Sequence, residues 1–283
     1  MNIKKIAVIG LGLIGGSIAK AVKRNSNISV IGWNRSKNVS MTALEQGVID
    51  RIWDGICVLD ADLVIISAPP DATVSILKKN AAFFKKGSVI SDVCGVKTHI
   101  VDKCEHICDV HDLFFIGGHP MAGKEQGGYA NADEFLFDGA SYILTPTEKT
   151  SKIALDVMSE FVKILKVDRI TISKPDEHDK MIAFTSQLPH VLAGAYVKSP
   201  RCENRKGFSA GSFLDVSRVA TADEKLWSEL FLNNSNHLSI EIQTLIDNLS
   251  SYLKAIENKD KAALCEIIKE GRLKKEKDLE NNL

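Results

Sequence analysis

The sequence lacks an excess of charge of either sign. Its 283 residues contain 36 Lys and Arg against 36 Asp and Glu, so no basic surface is expected that would attract nucleic acid or an anionic membrane. It also lacks an apolar run near the ~20 residues that span a bilayer. The amino terminus passes from Lys4 and Lys5 directly into a short apolar run, which is not the pattern of a signal peptide.

Cysteine is present but not in pairs that suggest disulfides or zinc. The six cysteines are scattered and include no CxxC motif, which fits the reducing cytoplasm. Cys104 and Cys108 lie four residues apart with His106 and His111 nearby, so a metal site is an alternative interpretation. A helix before the next strand explains that spacing equally well, and we expect no metal.

What the sequence does have is the composition of a globular protein and an α/β order. It is 45% apolar and 25% charged, and apolar runs alternate with helical patterns as far as residue 173. We predict a Rossmann-type doubly wound sheet over residues 1–173 and an all-α domain over residues 174–283. Strands are predicted at 6–9, 28–33, 63–68, 88–91, 113–116, 141–145 and 169–172.

A glycine motif follows the first predicted strand at once. Gly10, Gly12 and Gly15 form GxGxxG between a strand and a helix, the context that makes this motif a dinucleotide-binding signature. The helix amides would hold the pyrophosphate. The predicted cofactor site comprises Gly10, Gly12, Leu13, Ile14 and Gly15, with Ala68 and Pro69 at the end of the third predicted strand.

The second predicted strand ends in Asn34-Arg35-Ser36, which complete the predicted cofactor site. NAD-binding folds usually place an acid here to bind the ribose 2′-hydroxyl, and none is present. Arg35 can instead pair with a 2′-phosphate, and Ser36 adds a hydroxyl. We therefore expect NADP, with NAD as the alternative if Arg35 is only a solvated side chain.

Residues 117–128 form a glycine-rich stretch around a histidine. His119 follows an apolar strand and precedes Pro120. It therefore lies at the carboxyl end of a predicted strand, where open sheets bind their ligands. Its imidazole can exchange protons near neutral pH. Lys124 and Glu125 lie in the same predicted loop. A capped histidine in a surface loop is the simpler alternative, but the position favours a catalytic group.

Beyond residue 174 the pattern is helical. His178, Ser186 and His190 fall on one face of a helix, with Pro189 able to kink it; histidines buried for stability alone would give the same pattern. Asp215 and Arg218 have the spacing of a surface pair. Residues 221–224 read as a capping box that starts the helix of Trp227.

Six apolar residues further on repeat at alternating spacings of four and three: Leu238, Ile242, Leu245, Leu249, Tyr252 and Ile256. Such a seam packs helix on helix. It can close the core of a monomer, but after a Rossmann domain we favour a two-fold homodimer through these helices.

With these motifs assembled, the chain resembles the prephenate/arogenate dehydrogenases of tyrosine biosynthesis. The resemblance rests on residues 10–17, 92–97, 117–125, 186–190 and 211–218 with Trp227. It implies oxidative decarboxylation of prephenate to 4-hydroxyphenylpyruvate, with arogenate dehydrogenation to tyrosine as the alternative. No sequence is left over for an appended regulatory domain or a fused chorismate mutase, so a single activity is expected.

The resemblance also implies roles for individual residues. His119 would take the proton of the ring hydroxyl, while His190 would act beside it at the nicotinamide. Arg218 would bind a substrate carboxylate, because a planar guanidinium suits it better than lysine does. The remaining predicted substrate contacts are Ser186 lining the pocket, Glu125 at its polar end, Trp227 and Lys124.

Two positions depart from the family pattern, and a third position, Lys124, is expected to select the substrate. Gly95 stands where many members have serine, and Gln187 where histidine is frequent. Lys124 would repel the ammonium of arogenate, which favours prephenate.

Two other functions stay open on sequence. A β-hydroxyacid dehydrogenase shares this layout but needs an asparagine four residues after its catalytic lysine, whereas Phe184 follows Lys180 at that spacing. A dinucleotide-sensing protein without activity would need the glycine motif, but not His119, His190 and Arg218 together.

Overall fold

The computed structural model describes residues 3–282, which form one large sheet and a series of helices. Eight strands in this part of the chain take the order β3-β2-β1-β4-β5-β6-β7-β8. β6 and β7 pair antiparallel, and the other neighbours are parallel. The strands are β1 Lys5–Ile9, β2 Ser29–Trp33, β3 Arg51–Ile52, β4 Leu63–Ile66, β5 Val89–Asp92, β6 Phe114–Pro120, β7 Ser141–Thr145 and β8 Arg169–Ile172.

Helices connect the strands and then replace them. Five lie between strands: α1 Leu13–Asn25, α2 Lys37–Glu45, α3 Pro70–Asn80, α4 Thr98–Val110 and α5 Lys152–Ile164. After β8 the described chain is helical: α6 Pro175–Ile182, a π-helical turn Ala183–Gln187, α7 Leu188–Tyr196, α8 Gly211–Ser217, α9 Glu224–Asn233, α10 Ser235–Glu257 and α11 Lys261–Asn282. The predicted fold class, a Rossmann-type sheet followed by helices, is confirmed.

The core lies on both faces of the sheet because the central strands are apolar throughout. In β1, Ile6 and Val8 pack into one buried cluster, while Ala7 and Ile9 pack into the cluster on the opposite face. This two-sided burial is typical of parallel sheets covered by helices. The strand order reverses between β1 and β4, so the carboxyl ends of these two strands flank the crevice where such folds bind ligands.

The chain separates into two compact units, one reaching to Asn234 and one beginning at Ser235. The domain boundary predicted between residues 173 and 174 stays a prediction. In the second unit, α10 and α11 contact each other. No helix among the described residues is long and apolar enough to cross a membrane.

The structure differs from the sequence prediction in three places that concern candidate site residues. β6 extends to Pro120, so His119 lies in a strand opposite Ile143 rather than in a loop. The helix of Trp227 is capped by Asp223, whose carboxylate accepts from two amides, so the capping box predicted at residue 221 is wrong. The single helix expected from residue 175 is interrupted by the π-helical turn, so the helical-wheel phases of His178 and His190 do not apply.

Candidate active site

The glycine turn after β1 has the shape that a dinucleotide needs. Gly10 has φ +98°, and a Cβ there would lie 2.1 Å from the carbonyl oxygen of Ser67. A Cβ on Gly15 would lie 1.9 Å from the carbonyl oxygen of Gly10. At Gly12, by contrast, a Cβ would meet nothing within 4 Å, so the backbone there is open to a ligand.

The amino terminus of α1 is available for phosphate. Leu13 and Ile14 begin the helix, Gly12 precedes it, and no side chain caps its first turn, which also carries no acid. Uncapped amides at a helix start bind anions. The residues present therefore fit the pyrophosphate of a nicotinamide dinucleotide.

The end of β2 lies beside this turn. The side-chain oxygen of Asn34 accepts a hydrogen bond from the Leu11 amide at 3.0 Å, which ties the strand end to the glycine turn. Arg35 and Ser36 are exposed there. Across the crevice, Ala68 and Pro69 follow β4 and lead into α3. The predicted cofactor residues thus surround the carboxyl ends of β1, β2 and β4.

A chain of hydrogen bonds leads from the protein interior to His119. His119 Nδ1 lies 2.8 Å from His178 Nε2, and His178 Nδ1 lies 2.8 Å from Asp179 Oδ1. His119 is partly buried, whereas His178 and Asp179 are buried. Burial, with smaller contributions from His178 and Lys97, holds the pKa of His119 well below its usual value. His119 is therefore neutral at pH 7 and able to accept a proton.

A buried ion pair holds the strand beneath His119. Lys97 and Asp92 are in contact and have fully buried side chains. Lys97 Nζ also donates to the Gly118 carbonyl at 2.6 Å, and Asp92 Oδ1 accepts from the Gly118 amide at 3.3 Å. Both polar groups of the residue before His119 are thus fixed. Breaking such a pair costs several kcal/mol, about 3–5 in general.

Gly95 leaves space beside the outer nitrogen of His119. A Cβ on Gly95 would lie 3.8 Å from His119 Nε2 and 3.6 Å from Leu230 Cδ2, ordinary contact distances. Gly95, which departs from the family pattern, therefore lies next to His119 Nε2, the nitrogen that a substrate hydroxyl would approach. Leu230 lies on α9, the helix that also carries Trp227.

His190 and Trp227 form a second group. Their rings are stacked, with centroids 3.5 Å apart, and His190 Nδ1 donates to the Ser186 carbonyl at 2.9 Å. Burial, assisted by the charge of Arg218, lowers the pKa of His190 despite that hydrogen bond. Ser186 contributes its backbone to this contact, and its partly buried side chain belongs to the π-helical turn. Such single π turns are frequent at functional sites.

Arg218 and Glu125 pair at the outer edge of the site. Arg218 Nη1 lies 3.0 Å from Glu125 Oε1, with both side chains more than half exposed. Hydrogen bonds from its own backbone amide and from Arg218 lower the pKa of Glu125. Lys124 turns to Asp133, with Nζ 2.8 Å from its carboxylate. The guanidinium is held by an exposed pair that a carboxylate ligand can replace.

Two groups in this region were missed by sequence reasoning. Asp179 was not singled out, although an Asp directly after a His near the start of a helix is a visible signal. Asn234 was also missed: its Nδ2 donates to the Asp179 carbonyl at 2.9 Å and to Gln187 Oε1 at 2.8 Å. Gln187 in turn donates to the Leu230 carbonyl at 3.1 Å. Gln187 therefore has a buried structural role linking α9 to the π-helical turn.

Comparisons with known proteins show similarity to one family along most of the chain. One family model, "Prephenate dehydrogenase, nucleotide-binding domain", matches residues 18–171, and a second, "Prephenate dehydrogenase, dimerization domain", matches residues 174–270. A prephenate dehydrogenase of Bacillus subtilis is 34% identical over 264 residues, covering 90% of this chain and 71% of the relative.

Two solved structures extend the similarity to the fold. Prephenate dehydrogenase from Aquifex aeolicus, in complex with hydroxyphenyl propionate and NAD+, superposes with a TM-score of 0.87 at 26% identity, covering 98% of this chain and 99% of the other. Synechocystis arogenate dehydrogenase gives 0.81 at 27% identity, covering 96% and 99%.

Proposed function

The chain belongs to the prephenate dehydrogenase family, and we propose that it oxidatively decarboxylates prephenate to 4-hydroxyphenylpyruvate. The observation that carries the proposal is the state of His119: a neutral, partly buried imidazole beside a Rossmann cofactor crevice, with open space at Nε2. A base in that position can take the proton of a ring hydroxyl.

The proposed chemistry divides among the residues described above. His119 accepts the hydroxyl proton at Nε2. A bound nicotinamide would supply the oxidation, since it would accept hydride from the ring carbon that carries this hydroxyl. Loss of the ring carboxylate as CO2 then aromatises the ring, and the electron pair released by that loss ends on the ring oxygen, which can take the proton back from His119. Aromatisation makes the reaction effectively irreversible.

Arg218 binds a carboxylate of the substrate in this proposal. Its exposed pairing with Glu125 supports that role, because an exposed pair is worth only ~0–1 kcal/mol and is readily exchanged for another carboxylate. Glu125 then acts as the group that leaves Arg218 when substrate arrives. His190, stacked on Trp227, and Ser186 line the pocket on the side of α7.

We further propose that NADP is preferred over NAD. Arg35 and Ser36 are exposed at the end of β2, where a 2′-phosphate would lie, and Asn34 is already engaged by the Leu11 amide. The Aquifex aeolicus structure contains NAD+, which describes that protein. Titration of both nucleotides into this chain distinguishes the two.

Prephenate is the proposed substrate and arogenate the alternative. Lys124 repels an ammonium less than its sequence position suggested, because the carboxylate of Asp133 compensates its charge at 2.8 Å. The deciding experiment measures kcat/KM for prephenate and arogenate, each with NAD+ and NADP+, and identifies the products. A Lys124→Asp variant that leaves the substrate ratio unchanged rules out Lys124 as the selector.

The same assay separates the remaining alternatives. A dinucleotide-sensing protein would bind nucleotide without turning over either substrate. A β-hydroxyacid dehydrogenase would oxidise a short hydroxyacid instead. For turnover of prephenate or arogenate, His119→Asn is the control that excludes a contaminating activity. The absence of product from both prephenate and arogenate would overturn the proposed function.

The chain is also proposed to form a homodimer through its carboxyl-terminal helices. The family model matching residues 174–270 is described as a dimerization domain. On α10, the apolar side chains of Leu249 and Ile256 are 54% and 58% exposed, which leaves these two residues of the predicted seam uncovered. Sedimentation equilibrium tests this, and a monomer at micromolar concentration would contradict it.

The buried, unpaired thiols of Cys94, Cys104 and Cys108 support a reducing compartment such as the cytoplasm.

A further inference from the structure

We propose that His178 and Asp179 are positioning residues that hold His119 in a single tautomer, with Nδ1 protonated and Nε2 free to act as the base. The three groups lie in series, joined by two hydrogen bonds of 2.8 Å. The catalytic meaning of this arrangement rests on the proposed function. The tautomer itself does not, and it can be measured separately.

Asp179 is the fixed end of the series. Its Oδ1 accepts from the Lys97 amide and its Oδ2 from the Thr98 amide, both at 2.8 Å, so the carboxylate caps the start of α4. Burial opposes its ionisation, but hydrogen bonds from His178 and Thr98 outweigh this and hold the pKa of Asp179 below its usual value. Asp179 is therefore an anion at neutral pH and can only accept hydrogen bonds.

The proton positions follow from that acceptor. Since Asp179 only accepts, His178 must carry its proton on Nδ1. Burial holds the pKa of His178 below its usual value even beside this carboxylate, so the ring is neutral and its Nε2 has a lone pair. His119 must then donate from Nδ1, which leaves Nε2 of His119 unprotonated.

The charged groups around the series support the same state. Burial is the main cause of the low pKa of both histidines, and the charge of Lys97 lowers both pKa values further. Its own charge is paired with Asp92. Asp179 is the carboxylate in direct contact with the histidines, and it meets His178 rather than His119. The free enzyme thus keeps His119 neutral.

The series of His119, His178 and Asp179 also stabilises the positive charge that the reaction creates. When His119 Nε2 takes the substrate proton, the positive charge spreads over the imidazolium, and its Nδ1–H bond to His178 strengthens. Through His178, Asp179 stabilises that charge without itself being protonated, the arrangement known from base–orienter triads. Removal of either residue should therefore lower kcat more than it changes KM.

The first test reads the tautomer directly. In protein labelled with ¹⁵N-histidine, with no substrate present, the His119 signals are assigned by comparison with His119→Asn. The expected result is a protonated Nδ1 and an unprotonated Nε2 near pH 7.5. A His119 with Nε2 protonated would overturn the proposal, whatever the enzyme's activity turns out to be.

The second test uses matched variants at His178. In His178→Gln the amide oxygen reaches about as far as the imidazole Nε2 and can accept from His119, whereas His178→Leu cannot. We expect kcat to fall ~10²–10⁴-fold in His178→Leu and Asp179→Asn, with substantial recovery in His178→Gln and with KM and nucleotide Kd close to wild type. The control is His106→Asn, which removes an exposed histidine from α4.

The outcomes separate positioning from stability alone. If the residues only stabilise the fold, all three variants lose thermal stability while kcat per folded molecule stays at the wild-type value, which overturns the proposal. If Asp179→Asn does not fold, the wild-type tautomer and the Gln-against-Leu comparison still decide it. Wild type without activity on prephenate or arogenate, but with the expected tautomer, refutes the proposed function and leaves the positioning intact.

Discussion

The imidazole of His190 lies against the indole of Trp227, with ring centroids 3.5 Å apart and the planes inclined by 26°. His190 Nδ1 is engaged by the Ser186 carbonyl, so the neutral ring carries its lone pair on Nε2. The stack joins α7 to α9 and fixes that nitrogen. His119 and His190 are thus both held by their Nδ1 atoms, one by a histidine and one by a backbone carbonyl.

Replacing His119 should remove the proton acceptor and little else. We expect His119→Asn to lower kcat by ~10²–10⁴-fold, the usual contribution of a positioned acid or base. Nucleotide affinity, measured by fluorescence titration, should be close to wild type because the glycine turn is untouched. Turnover near the wild-type rate would refute the assignment.

Arg218 should be needed for substrate affinity. Arg218→Lys keeps the charge but loses the fork, so about one charge-assisted hydrogen bond, or roughly tenfold in KM, should be lost. The matched control is Arg169→Lys at the start of β8. If Arg218→Lys changes the denaturation midpoint but not KM, Arg218 is only half of a surface pair with Glu125.

Arg35 should determine nucleotide preference. Arg35→Ala is expected to weaken NADP binding by ~10–100-fold, corresponding to the ~1.5–3 kcal/mol of a hydrogen bond to a charged group. NAD binding should hardly change. Isothermal titration with both nucleotides checks this, with Arg169→Ala on the far edge of the sheet as the control. Tighter binding of NAD than NADP by the wild type would contradict the preference.

Serine at position 95 should shift the pH dependence of the enzyme without harming the fold. A Cβ there fits at 3.6–3.9 Å from its neighbours, and the added hydroxyl would reach His119 Nε2. Donation to the neutral ring lowers the pKa of His119, so the acid limb of kcat/KM should move to lower pH. Gly95→Ala is the matched control. Identical profiles for the two variants would show that the hydroxyl does not reach Nε2.

The buried histidines should make the fold sensitive to mild acid. The pKa values of His119 and His178 are lowered in the folded state, so below pH ~6.5, the usual value, the unfolded chain binds protons that the folded chain does not. Stability is thus complete above that pH and is lost as the pH falls, by about 1.4 kcal/mol per unit for each histidine.

Urea denaturation between pH 7.5 and 5.5 measures this effect, because Asp179 titrates below that window. In His178→Gln one of the two groups is gone, and the loss of stability over the same range should be smaller. An unfolding free energy independent of pH in wild type would show that the histidines are protonated without cost in the folded state.

The sheet and the cofactor turn could be read from the sequence because their signals are local. Buried parallel strands are continuous apolar runs, and GxGxxG between a strand and a helix specifies both the turn and the helix start. The two-residue strand β3, which pairs with β2 through Arg51 and Ile52, is too short to show such a pattern. Its place at the sheet edge depends on tertiary contacts.

The candidate site was only partly predictable. His119, His190 and Arg218 stand in recognisable motifs, but their motifs do not show which residues they contact. His178 lies 59 positions from His119, and Glu125 lies 93 positions from Arg218. Lys124 shows the same limit. Its position beside Glu125 in the sequence predicted a place near the pocket, whereas the ion pair with Asp133 determines the direction of its side chain.

The glycines around His119 are under two different constraints, which determine where the segment can accept substitutions during evolution. A Cβ on Gly117 would lie 2.3 Å from Thr145 Oγ1, and one on Gly118 would lie 2.8 Å from the Asp92 carbonyl oxygen. Gly123 and Gly127 have nothing within 4 Å of a Cβ. The interior alone therefore forbids replacement of the first two. The fold allows other residues at the later two positions. If glycine is nevertheless retained there during evolution, the reason would be contact with a bound substrate rather than the stability of the fold.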